Sequence, residues 1–454
     1  MTGDVVVQRR TPMAVSPDAL WVWHAAPGAF ERLAPPWERA EVVSRTDDAL
    51  VEGSEVTLRV RKGPLALSWV ARHRDVQRGL GFVDEQVRGP FARWHHAHQF
   101  LPHAAGGELV DTITLAAPFG LIGRIAHPAL RQTIERMLRY RHAVTRHDLE
   151  QQMQTPLAPM RIAITGATGM VGRALTPMLT AAGHTVVPVS RRPIAGGIQW
   201  DPTAPLDSAK WTGLDAVIHL AGENIADGRW TDERKRLLRE SRVGPTRRLA
   251  EMLAALPTPP RVLISASAVG LYGDTGEQVA TEATPAATDF LGALGAAWEA
   301  AAAPARDAGI RVVHPRFGII LSGDGGALAK MLPTARLGVG GPLGGGSQWM
   351  SWVALDDVVG AVYHLLANAA LQGPVNVVAP TPVRNAEFAE TLGAVLHRPA
   401  VLPVPAFVLR ALFGEMADAT LLASSRVAPT ALEAAGYRFR FPTLEGALRH
   451  VLGR

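Results

Sequence analysis

Residues 160–172 read MRIAITGATGMVG, an apolar β-type segment that breaks straight into three spaced glycines and then into a helical run at 173–182. This order of strand, glycine turn and helix restricts the fold more than any other feature. Gly166 can turn where a Cβ would clash, Gly169 lets backbone N–H groups approach a pyrophosphate, and Gly172 lets the new helix pack closely on its strand. A second β-type run at 184–189 follows in the order a mononucleotide-binding unit needs. A dinucleotide is the expected ligand, held around Gly166, Thr168, Gly169, Met170, Val171 and Gly172.

The next strand carries the signal for which dinucleotide. An acidic residue about 20 positions past the glycines would take a ribose 2′-OH, whereas a basic one accommodates a 2′-phosphate. The chain has Ser190-Arg191-Arg192 there and no acid until Asp201. An Arg fork matches phosphate geometry, so the expected cofactor is NADP(H).

Composition narrows the remaining classes. With 47% hydrophobic and 19% charged residues, the 454-residue chain is globular and long enough for two cores. A net charge of +5 spread over this length, without a basic run interleaved with aromatics, gives nucleic-acid binding no support. The absence of cysteine excludes disulfides, a thiolate nucleophile and Cys-based metal sites. The opening MTGDVVVQRRT lacks the apolar core of a signal peptide, and no apolar run approaches the roughly 20 residues of a membrane span. A cytoplasmic location is therefore expected.

The segment 151–159, QQMQTPLAP, is polar and then twice interrupted by proline, which marks a domain boundary. The expected division is a first domain at 1–152, a linker at 153–159 and a second domain at 160–454. In the first domain a β-type run at 4–10 precedes a helix starting at Ser16-Pro17-Asp18, with Ser as N-cap and Pro in the first turn. Alternating segments follow at 37–45, 54–61, 65–75, 82–88, 93–101 and 108–116, with turns at Lys62-Gly63-Pro64 and Ala105-Gly106-Gly107. A long helix at 127–152 closes the domain, with Leu130, Ile134, Met137, Leu138 and Val144 on its apolar stripe. An antiparallel sheet gripping a long helix is the expected α+β fold.

With Gly89-Pro-Phe-Ala-Arg-Trp94, Glu108-Leu-Val-Asp-Thr112 and Pro118-Phe-Gly120, this order resembles the SRPBCC or START-like helix-grip domains of the polyketide cyclase/lipid-transport branch. The resemblance implies a cavity for an apolar small molecule. Trp21, Trp23, Trp69 and Trp94 are pocket candidates, with core packing as the default. His96 and His98 would share a strand face, but no acid lies near them in sequence, so no metal site is expected.

Beyond residue 160, strand signals at 215–220, 261–267 and 311–321 alternate with helical ones, including a run at 231–256, as a doubly wound α/β (Rossmann) sheet requires. The strings LAGENIADGRW (220–230), SRVGPTRRL (241–249), SASAVGLYG (265–273), GGALAKML (325–332), GVGGPLGGGSQWMSW (338–352) and PVPAFVLRALFGEM (403–416) resemble the extended short-chain dehydrogenase/reductases. Within them the match is to the sugar-nucleotide-epimerase-like subgroup of the NAD-dependent epimerase/dehydratase family. The resemblance implies that Ser190, Arg191, Leu220, Ala221 and Arg242 join the glycine loop in holding NADP(H). It also implies that Ser267 occupies the catalytic Ser/Thr position and that residues from about 400 form a small C-terminal segment.

The superfamily's chemistry also uses Tyr-x-x-x-Lys, a tyrosinate base whose pKa a lysine depresses. The four tyrosines, 140, 272, 363 and 437, are followed four positions on by Val144, Gly276, Ala367 and Phe441, and the resemblance puts Leu291 and Gly295 at the Tyr and Lys positions. Substitute candidates are Ser267, Tyr272 and Glu223, the last as a base if partly buried. Gln348, Trp349 and Trp352 are candidate pocket residues for an unidentified small-molecule substrate, and Asp356-Asp357 should cap the following helix. Two readings follow: an NADP(H)-dependent, epimerase-like oxidoreductase, or a non-catalytic sensor that couples NADP(H) to the helix-grip ligand.

Overall fold

The computed structural model describes residues 4–62, 65–118, 124–204 and 207–454; Gly63, Pro64, Phe119 and Gly120 of the motifs above lie outside them. Two compact units emerge, one built mainly from Met1–Pro156 with Pro177–Gly183 and the other from Leu157–Thr176 with His184–Leu452, so the second half of the helix after the glycine loop groups with the first unit.

In the first unit, alternating side chains build seven strands: β1 (Val5–Met13), β2 (Arg39–Arg45), β3 (Glu55–Lys62), β4 (Leu65–Gln77), β5 (Gly81–Arg88), β6 (Arg93–His103) and β7 (Gly106–Ala116). They pair antiparallel in the order β1-β7-β6-β5-β4-β3-β2. Helix α1 (Pro17–Ala25) starts as its sequence demands, with Ser16 Oγ accepting the Ala19 N–H and Pro17 in the first turn. A short α2 (Ala29–Leu33), which carries no strong sequence signal, follows. The long α3 (His127–Gln154) buries Ile134, Met137 and Leu138 against Val5, Val7, Ile113 and Leu115 of the sheet. The same helix also buries His142, Thr145 and Asp148, and Asp148 takes a bidentate ion pair from Arg32 at 2.7 and 2.9 Å. Trp21, Trp23 and Trp94 belong to these apolar clusters, with Trp69 packed against the edge of one.

The second unit begins with β8 (Arg161–Thr165), α4 (Met170–Ala181), β9 (Thr185–Ser190), β10 (Ile198–Gln199) and β11 (Ala216–His219). After these come α5 (Asp232–Glu240), α6 (Val243–Ala254), β12 (Val262–Ser265), β13 (Ser267–Ala268), α7 (Phe290–Ala300), β14 (Arg311–Phe317), α8 (Leu355–Ala367) and β15 (Gly373–Val377). The main path β10-β9-β8-β11-β12-β14 is parallel throughout, and β15 and β13 also pair with β14 in parallel. The strand order reverses next to β8, the switch point at which a doubly wound sheet opens a ligand crevice.

Two segments read as continuous are divided. The helical run 231–256 becomes α5 and α6, because Pro245 has no N–H to continue a helix but fits the first turn of a new one. The run 311–321 leaves the main sheet at Gly318, where a Cβ would stand 2.6 Å from the Ser351 carbonyl oxygen, and Ile319–Leu321 pairs instead with Trp352–Ala354. Asp356 and Asp357 do not cap α8. Asp356 pairs with His450 at 2.5 Å, and Asp357 accepts the N–H groups of Arg440 and Phe441 at 2.7 and 3.0 Å, tying the C-terminal segment to the helix. Among the described residues no helix is long and apolar enough to cross a membrane.

Candidate functional site

At the carboxyl ends of β8, β9 and β11 lies a cleft of about 1050 Å³. Gly166, Thr168, Gly169, Ser190, Arg191, Arg192, Leu220, Ala221 and Glu223 all line it. Gly166 has φ +71°, and a Cβ there would stand 3.0 Å from the Ala221 nitrogen, so a side chain would fill the space between two of the cleft's walls. Gly172 is needed for a different reason from the expected one: its Cβ would meet Gly166 O at 2.4 Å and Ala167 Cα at 2.6 Å, the loop's own backbone rather than the strand. Met170, Val171 and Gly172 form the first turn of α4, whose unpaired N–H groups make a positive helix end.

The loop opposite the glycines rests on a buried relay. His219, fully buried at the end of β11, lies 2.7 Å from Thr165 Oγ1 and 3.0 Å from Thr246 Oγ1. Thr165 Oγ1 accepts the N–H groups of Leu220 and Ala221 at 3.2 and 3.3 Å. Burial pulls the imidazole down to about 4, so the ring is neutral at pH 7. Arg242 works from below as well: its guanidinium donates to Leu238 O and, at 2.6 Å, to Glu223 O, and it stacks on Trp298. It supports the 220–223 segment and is not part of the cleft wall. Arg248, not singled out in the sequence, does line the cleft, as does Asp201, whose carboxyl the Thr203 N–H and hydroxyl hold below its usual range.

Ser267 follows β12 on the same edge of the sheet. Its hydroxyl is buried and donates to Glu299 Oε1 at 2.6 Å. Arg316 grips that carboxylate with Nε and Nη2, both at 2.8 Å, and its Nη1 donates to the Tyr272 hydroxyl at 2.7 Å. Tyr272 in turn donates to Asn376 Oδ1 at 2.7 Å. Burial pushes the Tyr272 phenol up despite Arg316, so it stays protonated and both its hydrogen-bonding capacities are occupied. Burial acts to raise Glu299, but the bonds from Arg316 and Ser267 prevail and hold it below the usual glutamate range.

These contacts bear on the three substitute candidates. Tyr272 is buried, with its hydroxyl engaged by Asn376 and Arg316. The Ser267 proton is already committed to Glu299, so the hydroxyl offers an incoming group its lone pairs. Glu223 is partly buried, the condition set for its use as a base, and its carboxylate lies 3.5 Å from Arg234 Nη1. Glu299, Arg316 and Asn376 were not recognised as site residues in the sequence. Packing also fills the positions of the missing pair: Leu291 packs against Gly270, and a Cβ on Gly295 would lie 3.0 Å from the Leu271 side chain.

The three candidate pocket residues divide. Trp352 is fully buried in an apolar cluster and donates to Thr381 O at 3.0 Å, so it lines no pocket. Gln348 is buried and donates to Leu343 O and Leu421 O, bridging two loops. Trp349 alone keeps an accessible ring, with Arg384 and Arg426 stacked 4.1 and 4.4 Å from its centroid.

The first unit holds a smaller cavity of about 90 Å³, below the ~150 Å³ that houses benzene. Its lining joins apolar Phe30, Leu33, Leu50 and Phe82 to polar His73, Asp84, His98 and Arg141. None of the four tryptophans is among its lining residues. Strand pairing also supplies the acids that sequence neighbours lack: Asp84 stands opposite His96, and Asp111 opposite His98. Burial pulls the His98 ring down, but Asp111 and Asp84 outweigh it and push the ring up to about 9.

Comparisons with known proteins match these parts separately. Residues 162–378 match the sequence model of the NAD dependent epimerase/dehydratase family, 13–140 that of polyketide cyclase / dehydrase and lipid transport, and 404–451 a domain of unknown function. An epimerase family protein of Mycobacterium bovis is 43% identical over 296 residues, which cover 64% of this chain and 98% of that protein. A solved structure described as a nucleoside-diphosphate sugar epimerase from Corynebacterium glutamicum is 35% identical with a TM-score of 0.81, covering 98% of this chain and 90% of that one. The human epimerase family protein SDR39U1, solved with NADPH, is 38% identical with a TM-score of 0.61 and covers 64% of this chain and 99% of its own.

Proposed function

The chain belongs to the epimerase family of NAD-dependent epimerase/dehydratase proteins, and we propose that its second unit is an NADP(H)-dependent, epimerase-like oxidoreductase acting on an unidentified small molecule. The observation that carries this reading is the cleft in which the glycine loop and Ser190-Arg191-Arg192 face one ligand-sized space. The glycine loop and the α4 N-terminus would hold the pyrophosphate, and Arg191 and Arg192 would hold the 2′-phosphate. The human relative solved with NADPH supports the same choice.

The cofactor, when bound, supplies or accepts the hydride. Ser267 Oγ would take the proton of a substrate hydroxyl as it passes its own proton to Glu299, which Arg316 holds ionised and in place. A carboxylate so stabilised is a weak base. Because a well-placed general base contributes about 10²- to 10⁴-fold, turnover should be slow for this superfamily. The first unit would bind a small molecule at its His- and Arg-lined cavity.

Calorimetry tests the cofactor assignment: NADPH should bind more tightly than NADH, and replacing both Arg191 and Arg192 with Ala should shrink the difference, since each charge-assisted bond is worth about 1.5–3 kcal/mol. Equal affinities in the parent protein would refute it and leave Asp201 as the ribose partner. A second reading, a non-catalytic NADP(H)/ligand sensor, draws on the packed Leu291 and Gly295 positions. Oxidation of bound NADPH by any member of a metabolite panel would exclude the sensor.

A further inference from the structure

Among the described residues, a group of metal-ligating side chains lies in the first unit, with no part in the dinucleotide chemistry. His96 and His98 are alternate residues of β6 and so share a face, and pairing sets Asp84 of β5 and Asp111 of β7 beside them. One ligand atom from each of Asp84, His96 and His98 lies within 4.8 Å of the other two. His98 Nε2 and Asp84 Oδ2 are 3.3 Å apart, and two donors each about 2.0 Å from a tetrahedral ion stand about 3.3 Å from one another. His96 is 2% exposed, yet its Nε2 makes no hydrogen bond, with Asp111 Oδ1 too distant at 3.6 Å. A buried polar atom left in that state is costly unless something binds it.

We propose that Asp84, His96 and His98 bind a divalent transition-metal ion, with Asp111 orienting His98 from the far side of its ring. Two imidazoles and one carboxylate suit Zn(II), Fe(II) or Co(II), whereas Mg(II) and Ca(II) take all-oxygen shells. The surrounding contacts are those that fix ligating groups. Asp111 Oδ2 is 3.0 Å from His142 Nε2 and Asp84 Oδ1 is 2.7 Å from His73 Nδ1, while Asp111 Oδ1 lies 2.7 Å from His98 Nδ1 as an ion-pair contact outside hydrogen-bond geometry. Three protein ligands leave a coordination position free, as in catalytic rather than structural sites. Asp84 and His98 line the cavity together with Arg141, so that position would take water or a small anionic ligand entering from it.

The test uses the full-length chain without a histidine tag, stripped with a chelator and titrated with Co(II). One equivalent should bind, with visible d–d absorption that Zn(II) abolishes by displacement. His96→Gln should lose this equivalent, and Asp111→Asn should weaken it about 10- to 100-fold. Near-ultraviolet circular dichroism of each variant separates loss of a ligand from loss of the fold. If the folded parent protein binds neither Co(II) nor Zn(II) at micromolar concentration, the proposal fails and the cluster is an internal ion-pair network. Undiminished uptake by folded His96→Gln would overturn it equally.

Discussion

Ser267 donates its only hydroxyl proton in a hydrogen bond to Glu299, and that one bond determines what the neighbouring side chains can do. Arg316 is 8% and Glu299 14% exposed at the side chain, so their pair is largely desolvated and removal of one charge strands the other. Glu299→Gln should destabilise the second unit by about 3–5 kcal/mol and should reduce turnover beyond what partial unfolding explains. Tyr272→Phe leaves Arg316 Nη1 and Asn376 Oδ1 short of a partner, a cost of about 1–3 kcal/mol, with turnover per folded molecule unchanged. Urea unfolding and active-site-normalised rates measure the two effects, and a Tyr272→Phe protein that is stable but inactive would restore the phenol as a catalyst. Ser267 was legible because its motif is local. Its partners were not, since Ser267 and Glu299 lie 32 residues apart and Tyr272 and Asn376 lie 104 apart, and no spacing rule joins four segments of a doubly wound sheet.

At the scale of elements, strands with one wet face were the easiest to read, because period-2 alternation survives in the sequence. β6 shows it directly, with Trp94, His96, His98 and Phe100 all buried on one face. Breaks were harder: Pro245 and Gly318 both carry a stop signal, but each sits inside an otherwise continuous pattern. The chemistry at strand ends was hidden as well. β11 ends in His219, which holds the loop opposite the glycines through Thr165 and stays neutral well below pH 6.5 because burial lowers its pKa from 6.5 to about 4. In the unfolded chain this histidine takes up a proton below about 6.5, and in the folded protein only below about 4. The unfolded state therefore binds more protons in that window, and stability falls as pH drops from about 6.5 to 4, by up to about 3 kcal/mol from this group. The parent protein should lose more stability between pH 7 and pH 4.5 than His219→Gln does, read from urea midpoints. Identical losses would mean that His219 carries no such linkage.

For the whole molecule, the sequence announced two folds through two different periodicities and a proline-bearing junction, whereas the His/Asp cluster of the first unit stayed hidden. Asp84 and Asp111 lie 12 or more residues from His96 and His98 in sequence, and only strand register sets them side by side. Each unit has apolar clusters of its own: Phe100, Leu109 and Val144 are among the residues of one, and Val217, Leu263 and Val312 among those of the other. The helix α3 ends at Gln154 and β8 starts at Arg161, leaving a short non-helical passage that contains both prolines. A chain beginning at Met160 carries the entire glycine loop, the parallel sheet and the Ser267 network, so it should fold alone and bind NADPH within a few-fold of the full-length affinity. Limited proteolysis of the intact protein should cut between residues 151 and 159 before cutting elsewhere, and calorimetry should show two melting transitions. A single transition, together with a Met160 chain that stays insoluble or fails to bind NADPH, would mean that the second unit needs the first to fold and that the two act as one cooperative body.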